Sequence, residues 1–447
     1  MKGLILTYIL AIVGTFGSLV DPLIGLAVYM TFSVVRPQVL FGWAGNLDYM
    51  SFAVGVALLV GWALKGLGEW SFGRARGIVY SLLAFYAWFV LSAVFAQDPV
   101  FAFGSVIERA KVVLPFLVGM TLIKSERWIT ILAWVLVLAS GYVGGEMNWS
   151  YFNGYNRASA EGLLGDNNSF AVSMVAAVGP AIFLGLSTKS PWKKALAFGC
   201  ALLCMHTVLL TFSRGGILSL AITGAVVALL MPKRPAYLLA LVLTAAIGVR
   251  LMGPEVTSRF MTTFAAADER DASAESRIQL WQDCLVVMER HPAFGVGPWH
   301  WPRIAPEFGW TEGKQAHSFW MQLGAECGVP ALLLLLSFYV ITASKCWVMA
   351  RRSRGTQYEA LGLYVVSGLT GFIISAQFVS MEGLEVPYYL AMVGAAALKI
   401  RGDVNVPIAA TAAVPDSRTP PMASIGPPAP AAHPGLARSS TRSGFPS

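Results

Sequence analysis

Two short elements, Ser213-Arg214-Gly215-Gly216 and Ser276-Arg277-Ile278-Gln279, each place an arginine directly after a serine suited to capping a helix. A helix N-terminus offers unpaired N–H groups and the positive end of the backbone dipole. An arginine beside it adds a permanent charge whose planar fork matches phosphate oxygens. Two such starts facing one compartment would hold a diphosphate. Further on, His317 opens the stretch His317 to Val329, in which Leu323, Glu326 and Gly328 precede Pro330. A neutral imidazole can accept a proton near physiological pH, as a general base or orienting group must. Plainer roles compete with these. An arginine at a span end snorkels to headgroups, one on a loop helix pairs with an acid such as Asp271 or Glu275, and an interfacial histidine bonds a carbonyl.

The elements that must position these groups are membrane helices. Of 447 residues, 56% are hydrophobic and 13% charged, against roughly a quarter charged in a soluble domain. Apolar segments run at about Leu4 to Val35, broken by Asp21-Pro22, then Met50 to Leu64, Ile78 to Phe95, Gly104 to Ile123 and Trp128 to Val143. Others follow at Ser169 to Leu186, Ala195 to Phe212, Gly215 to Met231, Ala236 to Met252, Pro330 to Val348, Ala360 to Val379 and Tyr388 to Ile400. Every backbone polar group in lipid must be satisfied within its segment, and no ten-residue barrel alternation is present, so these are helices. The expected fold is an all-α polytopic membrane protein of about 12 transmembrane helices with a large polar loop containing an amphipathic helix.

Lysine and arginine fall in every second connection: Lys65, Arg74 and Arg76; Lys124 and Arg127; Lys189, Lys193 and Lys194; Lys233 and Arg234; Arg351, Arg352 and Arg354; Lys399 and Arg401. By the positive-inside rule these connections are cytoplasmic. The alternation then requires Leu4 to Val35 to cross once overall, with Lys2 inside, or else an outer N-terminus; the first version is preferred. Either way the polar island Gly253 to Ala316, with nine acidic and six basic residues, lies outside the cytoplasm. The net charge of +8 is scattered in short clusters and the tail, which speaks for bilayer orientation and against nucleic acid. The expected division is 1–252, nine transmembrane helices; 253–316, a polar loop outside the cytoplasm; 317–401, three more transmembrane helices with an outer helix leading into them; and 402–447, a Pro-, Ala- and Ser-rich disordered cytoplasmic tail.

Within the island, Ile278, Trp281, Leu285 and Met288 recur at helical intervals until His291-Pro292, predicting an amphipathic helix with Arg277 in its first turn. Five of the fourteen tryptophans lie between Trp281 and Trp320. Their rings suit a membrane interface, and equally the apolar face of a sugar or an isoprenoid. His291, His300 and His317 have no metal-binding spacing, and no metal or cofactor is expected. A disulfide between Cys284 and Cys327 is not expected, since no small disulfide-dependent domain is present.

Thr211-Phe212-Ser213-Arg214-Gly215-Gly216 resembles the Ser-Arg-Gly-Gly element of the O-antigen ligase and polymerase superfamily. Ser276 to Trp281, His291-Pro292-Ala293-Phe294-Gly295-Val296-Gly297, and His317-Ser318 through Glu326-Cys327-Gly328 resemble the rest of its conserved region, in the same order. The resemblance covers about Arg214 to Leu336. It implies a bacterial inner-membrane enzyme that transfers a glycan from undecaprenyl diphosphate on the periplasmic face, without metal or nucleotide sugar. Arg214 and Arg277 would bind the diphosphate and His317 would activate the acceptor. Arg157 would be a further phosphate contact, with Trp281 and Trp320 beside the substrate. Ligation of O-antigen to lipid A-core is the favoured activity; polymerisation and transfer to protein hydroxyls share the same donor chemistry. A lipid-linked glycan transporter is the non-enzymatic alternative. It would need ionisable groups near mid-bilayer, for which Glu108, Arg109 and Lys111 are the candidates.

Overall fold

The computed structural model describes residues 2–163, 165–251, 272–380 and 384–401. The chain divides into two units, Met1–Gly402 and Asp403–Ser447. The expected tail, and residues 252–271 of the polar island, lie outside the described residues.

Among the described residues every regular element is a helix. The principal ones are α1 (Lys2–Val20), α2 (Pro22–Val35), α3 (Asp48–Leu64), α4 (Arg76–Val94), α5 (Pro99–Leu122), α6 (Glu126–Phe152) and α7 (Asn167–Ser187). They continue as α8 (Pro191–Leu210), α9 (Arg214–Leu230), α10 (Pro235–Leu251), α11 (Ala272–Arg290), α12 (Phe319–Arg352), α13 (Gln357–Ser375) and α14 (Val386–Arg401). Seven are long and apolar enough to cross a membrane, namely α1, α4, α6, α7, α8, α12 and α13; α2, α3 and α9 are apolar but shorter.

One expectation about the first span is corrected. Asp21 caps α2 by accepting from the Leu23 N–H, and Pro22 occupies the first turn, so α1 ends and a new helix starts there. A Cβ added to Gly17 would meet Ile24 at 2.8 Å, and one added to Gly14 would meet Val28 at 2.7 Å. These pairings are those of an antiparallel hairpin, so Leu4 to Val35 does not make a single crossing. The N-terminus returns to the end that holds Arg36 and Phe41, where Gly3 lies against the Phe41 ring.

The connections then sort to two ends of the bundle. At one end Lys124 pairs with Glu69 at 2.5 Å, Lys345 donates to the Arg74 carbonyl, and the Tyr358 hydroxyl bonds Glu126. At the other, Arg303 pairs with Asp98, Arg36 pairs with Glu385, and the Asn156 amide donates to the Leu210 carbonyl. Between the ends, α7 and α13 approach closely through small residues: Cβ atoms added to Gly368 and Gly371 would lie 3.0 Å and 3.2 Å from the carbonyls of Ala176 and Val175.

A second, smaller core lies at the end opposite the lysine-rich connections. Leu280, Cys284, Val287 and Met288 of α11 pack on Val296, Trp301, Ile304, Ala316 and Ala325. The buried face is therefore rotated from the expected one. Met288 is buried and Trp281 partly so, but Ile278 and Leu285 stay 43% and 47% exposed. The helix α12 breaks at Gly328, whose φ of 81° is open to glycine, and the loop from Pro292 to Gly297 enters the break. There the Val329 N–H donates to the Pro292 carbonyl, and the Val296 and Gly297 N–H groups donate to those of Ala325 and Glu326. All five cysteines are free and buried.

Candidate functional site

Thr211 to Gly216 forms the start of α9 as its sequence suggests. Phe212 turns the chain with a φ of 54°, and Ser213 caps the helix by accepting from the Gly216 N–H at 3.1 Å. Arg214 is the first helical residue, so its charge sits at the positive end of the α9 dipole. The Gly165-Asp166-Asn167-Asn168 turn docks onto this start. The Ser213 hydroxyl donates to Asn168 Oδ1 at 2.7 Å, and Asn167 Nδ2 donates to the Thr211 carbonyl at 2.9 Å. Asp166 itself caps α7, accepting from the N–H groups of Asn168 and Ser169. Two helix N-termini are thus held side by side.

The second Ser-Arg element folds differently. The helix α11 already begins by Ala272, so Ser276 and Arg277 lie inside it, and the expected capping box with Arg277 in the first turn is corrected. Arg277 still reaches the site from the side: its Nη1 donates to the Phe378 carbonyl at 3.3 Å. Phe378 also abuts the α9 start, because a Cβ added to Gly215 would lie 2.7 Å from Phe378 Cβ. One residue therefore touches both arginine-bearing elements.

His317 joins the same segment. Its N–H donates to the Ser380 hydroxyl at 2.7 Å, and its φ of 52° places it in the left-handed region. Ser318 then caps α12, accepting from the Met321 N–H at 3.4 Å. His317 and Ser318 thus repeat the Phe212 and Ser213 arrangement, a left-handed residue followed by a serine cap. Burial holds the His317 imidazole down at about 4, helped by the charges of Arg277 and Lys314 and opposed by Asp166. Near neutral pH the imidazole is uncharged.

The segment from Ala376 to Ser380 was not singled out in the sequence. Its signal was weak: Gln377 and Ser380 are polar residues at the end of an apolar run, and only backbone and hydroxyl groups carry the contacts. Lys314 was missed as well, hidden among the other charges of the island.

Other expected site residues have structural partners. Arg157 donates to the carbonyls of Val39 and Leu40 at 2.9 Å and pairs with Glu161 at 2.7 Å. It ties the turn at 157–161 to the segment at Val39 and Leu40. Trp320 is 8% exposed, donates to the Ile373 carbonyl and packs on Phe319, Phe372 and Tyr339. That ring packs within the bundle. Trp281 is half-buried, and its indole N–H donates to the Ala316 carbonyl, tying α11 to the residue before His317. Glu326 accepts from the N–H groups of Trp299 and Trp301 and so braces their turn. His300 is buried, with the Asp98 N–H donating to Nε2 and Nδ1 against the Pro298 carbonyl. Its role is structural.

Among the described residues no group of three or more His, Cys, Asp or Glu side chains is placed to hold a metal ion. What the site assembles is cationic charge from Arg214, Arg277 and Lys314, a neutral imidazole, and the N-termini of α7, α9 and α12. Residues 198–336 match the family model described as O-antigen ligase. The match takes in the α9 start, Arg277 and His317 and ends within α12, and it supports the superfamily indicated by the motifs. Members of that family are glycosyltransferase-like enzymes. The chain matches no curated protein.

Proposed function

We propose that this protein transfers a glycan from undecaprenyl diphosphate to an acceptor hydroxyl on the periplasmic face of the bacterial inner membrane. The observation that carries the reading is the convergence on Phe378 to Ser380, where the α9 start, Arg277 and His317 meet through direct contacts. A lipid diphosphate glycan has an isoprenoid for the apolar bundle, a diphosphate for the cations and a sugar for the polar end. The alternating Lys and Arg clusters support an outer location for this end, since they lie at the opposite one.

In the reaction, Arg214 and Arg277 bind the diphosphate oxygens, with the helix dipole of α9 adding to Arg214. The acceptor oxygen attacks the anomeric carbon from the face opposite the diphosphate, a carbon–oxygen bond forms, and the bond to the phosphate oxygen breaks. Configuration therefore inverts. The leaving group departs as lipid diphosphate, and the charge that develops on it is stabilised by the two arginines. His317 takes the acceptor proton. In the free protein its affinity for a proton is low because burial disfavours the charged form and Arg277 and Lys314 add repulsion. A bound diphosphate neutralises that repulsion and makes the imidazole a stronger base when the substrate is present.

Ligation to lipid A-core is the favoured form of the activity, with polymerisation and transfer to protein as alternatives of the same donor chemistry. Purified protein reconstituted with undecaprenyl diphosphate glycan and, separately, lipid A-core, a growing glycan or a peptide distinguishes them. Covalent transfer to lipid A-core is the expected result. Movement of the donor across the bilayer with no covalent product would favour a transporter instead.

A further inference from the structure

At the end of the bundle opposite the site, a cavity of about 800 Å³ opens between α6, α7, α9, α12 and α13, within the size range of pockets that bind small ligands. Its walls are apolar and aromatic, with Trp134, Phe183, Leu184 and Leu230 among them. Its rim is cationic: Lys189, Lys193, Arg351 and Arg354 all line it, against Glu359 as the one acid. Glu359 accepts from the N–H of Gly355, which lines the same rim, at 2.6 Å, and the rim keeps an excess of three positive charges. Arg351 stands over the Trp347 ring at 5.3 Å, which holds its guanidinium at the rim. Nothing in the transfer chemistry uses this cavity.

We infer that the cavity is a binding site for an anionic phospholipid of the cytoplasmic leaflet, with the phosphate at the Lys189, Lys193, Arg351 and Arg354 rim and the acyl chains against Trp134, Leu184 and Leu230. Charge complementarity selects the occupant. A zwitterionic headgroup would bring a cation into a rim that already carries four, and a free anion would leave the apolar wall facing water. Basic pockets between transmembrane helices on the cytoplasmic side have the chemistry for anionic headgroups.

Native mass spectrometry of the full-length protein, incubated with equimolar phosphatidylglycerol and phosphatidylcholine, tests the site. Wild-type protein should retain phosphatidylglycerol in preference. Equal retention of the two lipids, or retention of neither, overturns the inference without bearing on glycan transfer. The Lys193→Gln, Arg351→Gln double variant should bind phosphatidylglycerol about 30-fold more weakly, equivalent to about 2 kcal/mol. Unchanged retention in that variant overturns it as well. Glycerol phosphate at millimolar concentration should not displace the lipid from wild-type protein. Displacement by this chainless anion would reduce the site to a surface for free anions and refute the lipid assignment.

Discussion

Ser213-Arg214 and Ser276-Arg277 are near twins in sequence and unlike in structure. The first is a true helix start, with a left-handed residue before it, a serine cap and the arginine at the first position. The second lies inside a helix that began at least four residues earlier, and its arginine acts through its reach alone. The partner that does match Ser213 is Ser318, whose preceding residue is His317. An arginine thus follows one cap and a histidine precedes the other, so one helix end presents a cation and the other a neutral acceptor. The difference teaches that a Ser-Arg pair is not by itself a helix start; the residue before the serine must be able to turn the chain.

The largest expected effect separates the cation sites from the imidazole. His317→Ala should slow transfer by about 10² to 10⁴ fold, the range for a positioned acid or base, while donor binding persists. Donor binding lost along with transfer would make His317 a diphosphate ligand instead. Arg214→Ala and Arg277→Ala should each cost about 10² to 10³ fold, as loss of a group stabilising the leaving charge does. Lys at either position should restore only part, because the planar fork is lost. A stably inserted Arg277→Ala protein with normal single-turnover transfer would remove Arg277 from the site and leave Arg214 as the sole clamp.

Smaller effects sharpen the contrast between the two serines. Ser213→Ala and Ser318→Ala should each destabilise the protein by about 1 kcal/mol through loss of a cap. Ser276→Ala, inside its helix, should cost less, and thermal unfolding that ranks Ser276 above Ser213 would reinstate the capping-box reading. The comparison also requires that both elements face one compartment. A cysteine at the exposed Glu307 position should react with an impermeant thiol reagent in intact cells, and one at the exposed Arg354 position should not. The native cysteines are buried and give a low background. The α1–α2 hairpin adds that a tag ahead of Lys2 should be reached from the same side as Glu307.

The membrane class and most of the helices could be read from the sequence because each rests on a local signal. Apolar runs mark spans, lysine clusters mark one end, and Ser213 has its cap three residues from Gly216. The α1–α2 hairpin was not legible, because Asp21-Pro22 breaks a helix in the same way whether the chain then continues or reverses; the close packing at Gly14 and Gly17 decides it. The partners of Arg157 were not legible for a related reason: its charge is visible in sequence, but the carbonyls of Val39 and Leu40 that it bonds are more than a hundred residues away. Phe378 and Ser380 contribute a carbonyl and a hydroxyl, groups that no composition or spacing rule brings forward. His291 to Gly297 matched the family pattern, and the structure explains that stretch by the break at Gly328 that it fills.

The central claim is that Arg277 and His317 face one bound diphosphate, and the protonation of His317 reports on it directly. In the free protein the imidazole titrates near 4 because burial and the charges of Arg277 and Lys314 disfavour its cation. The unfolded chain, at about 6.5, takes up the proton first as pH falls. Native stability from this group is therefore complete above about 6.5 and declines toward 4. A diphosphate beside Arg277 supplies the opposite charge and must raise the folded value. NMR titration of isotopically labelled histidine in purified protein, with and without undecaprenyl diphosphate, should show the His317 resonance shifting its midpoint upward on binding. A His317 midpoint that does not move when the ligand is bound would contradict the account.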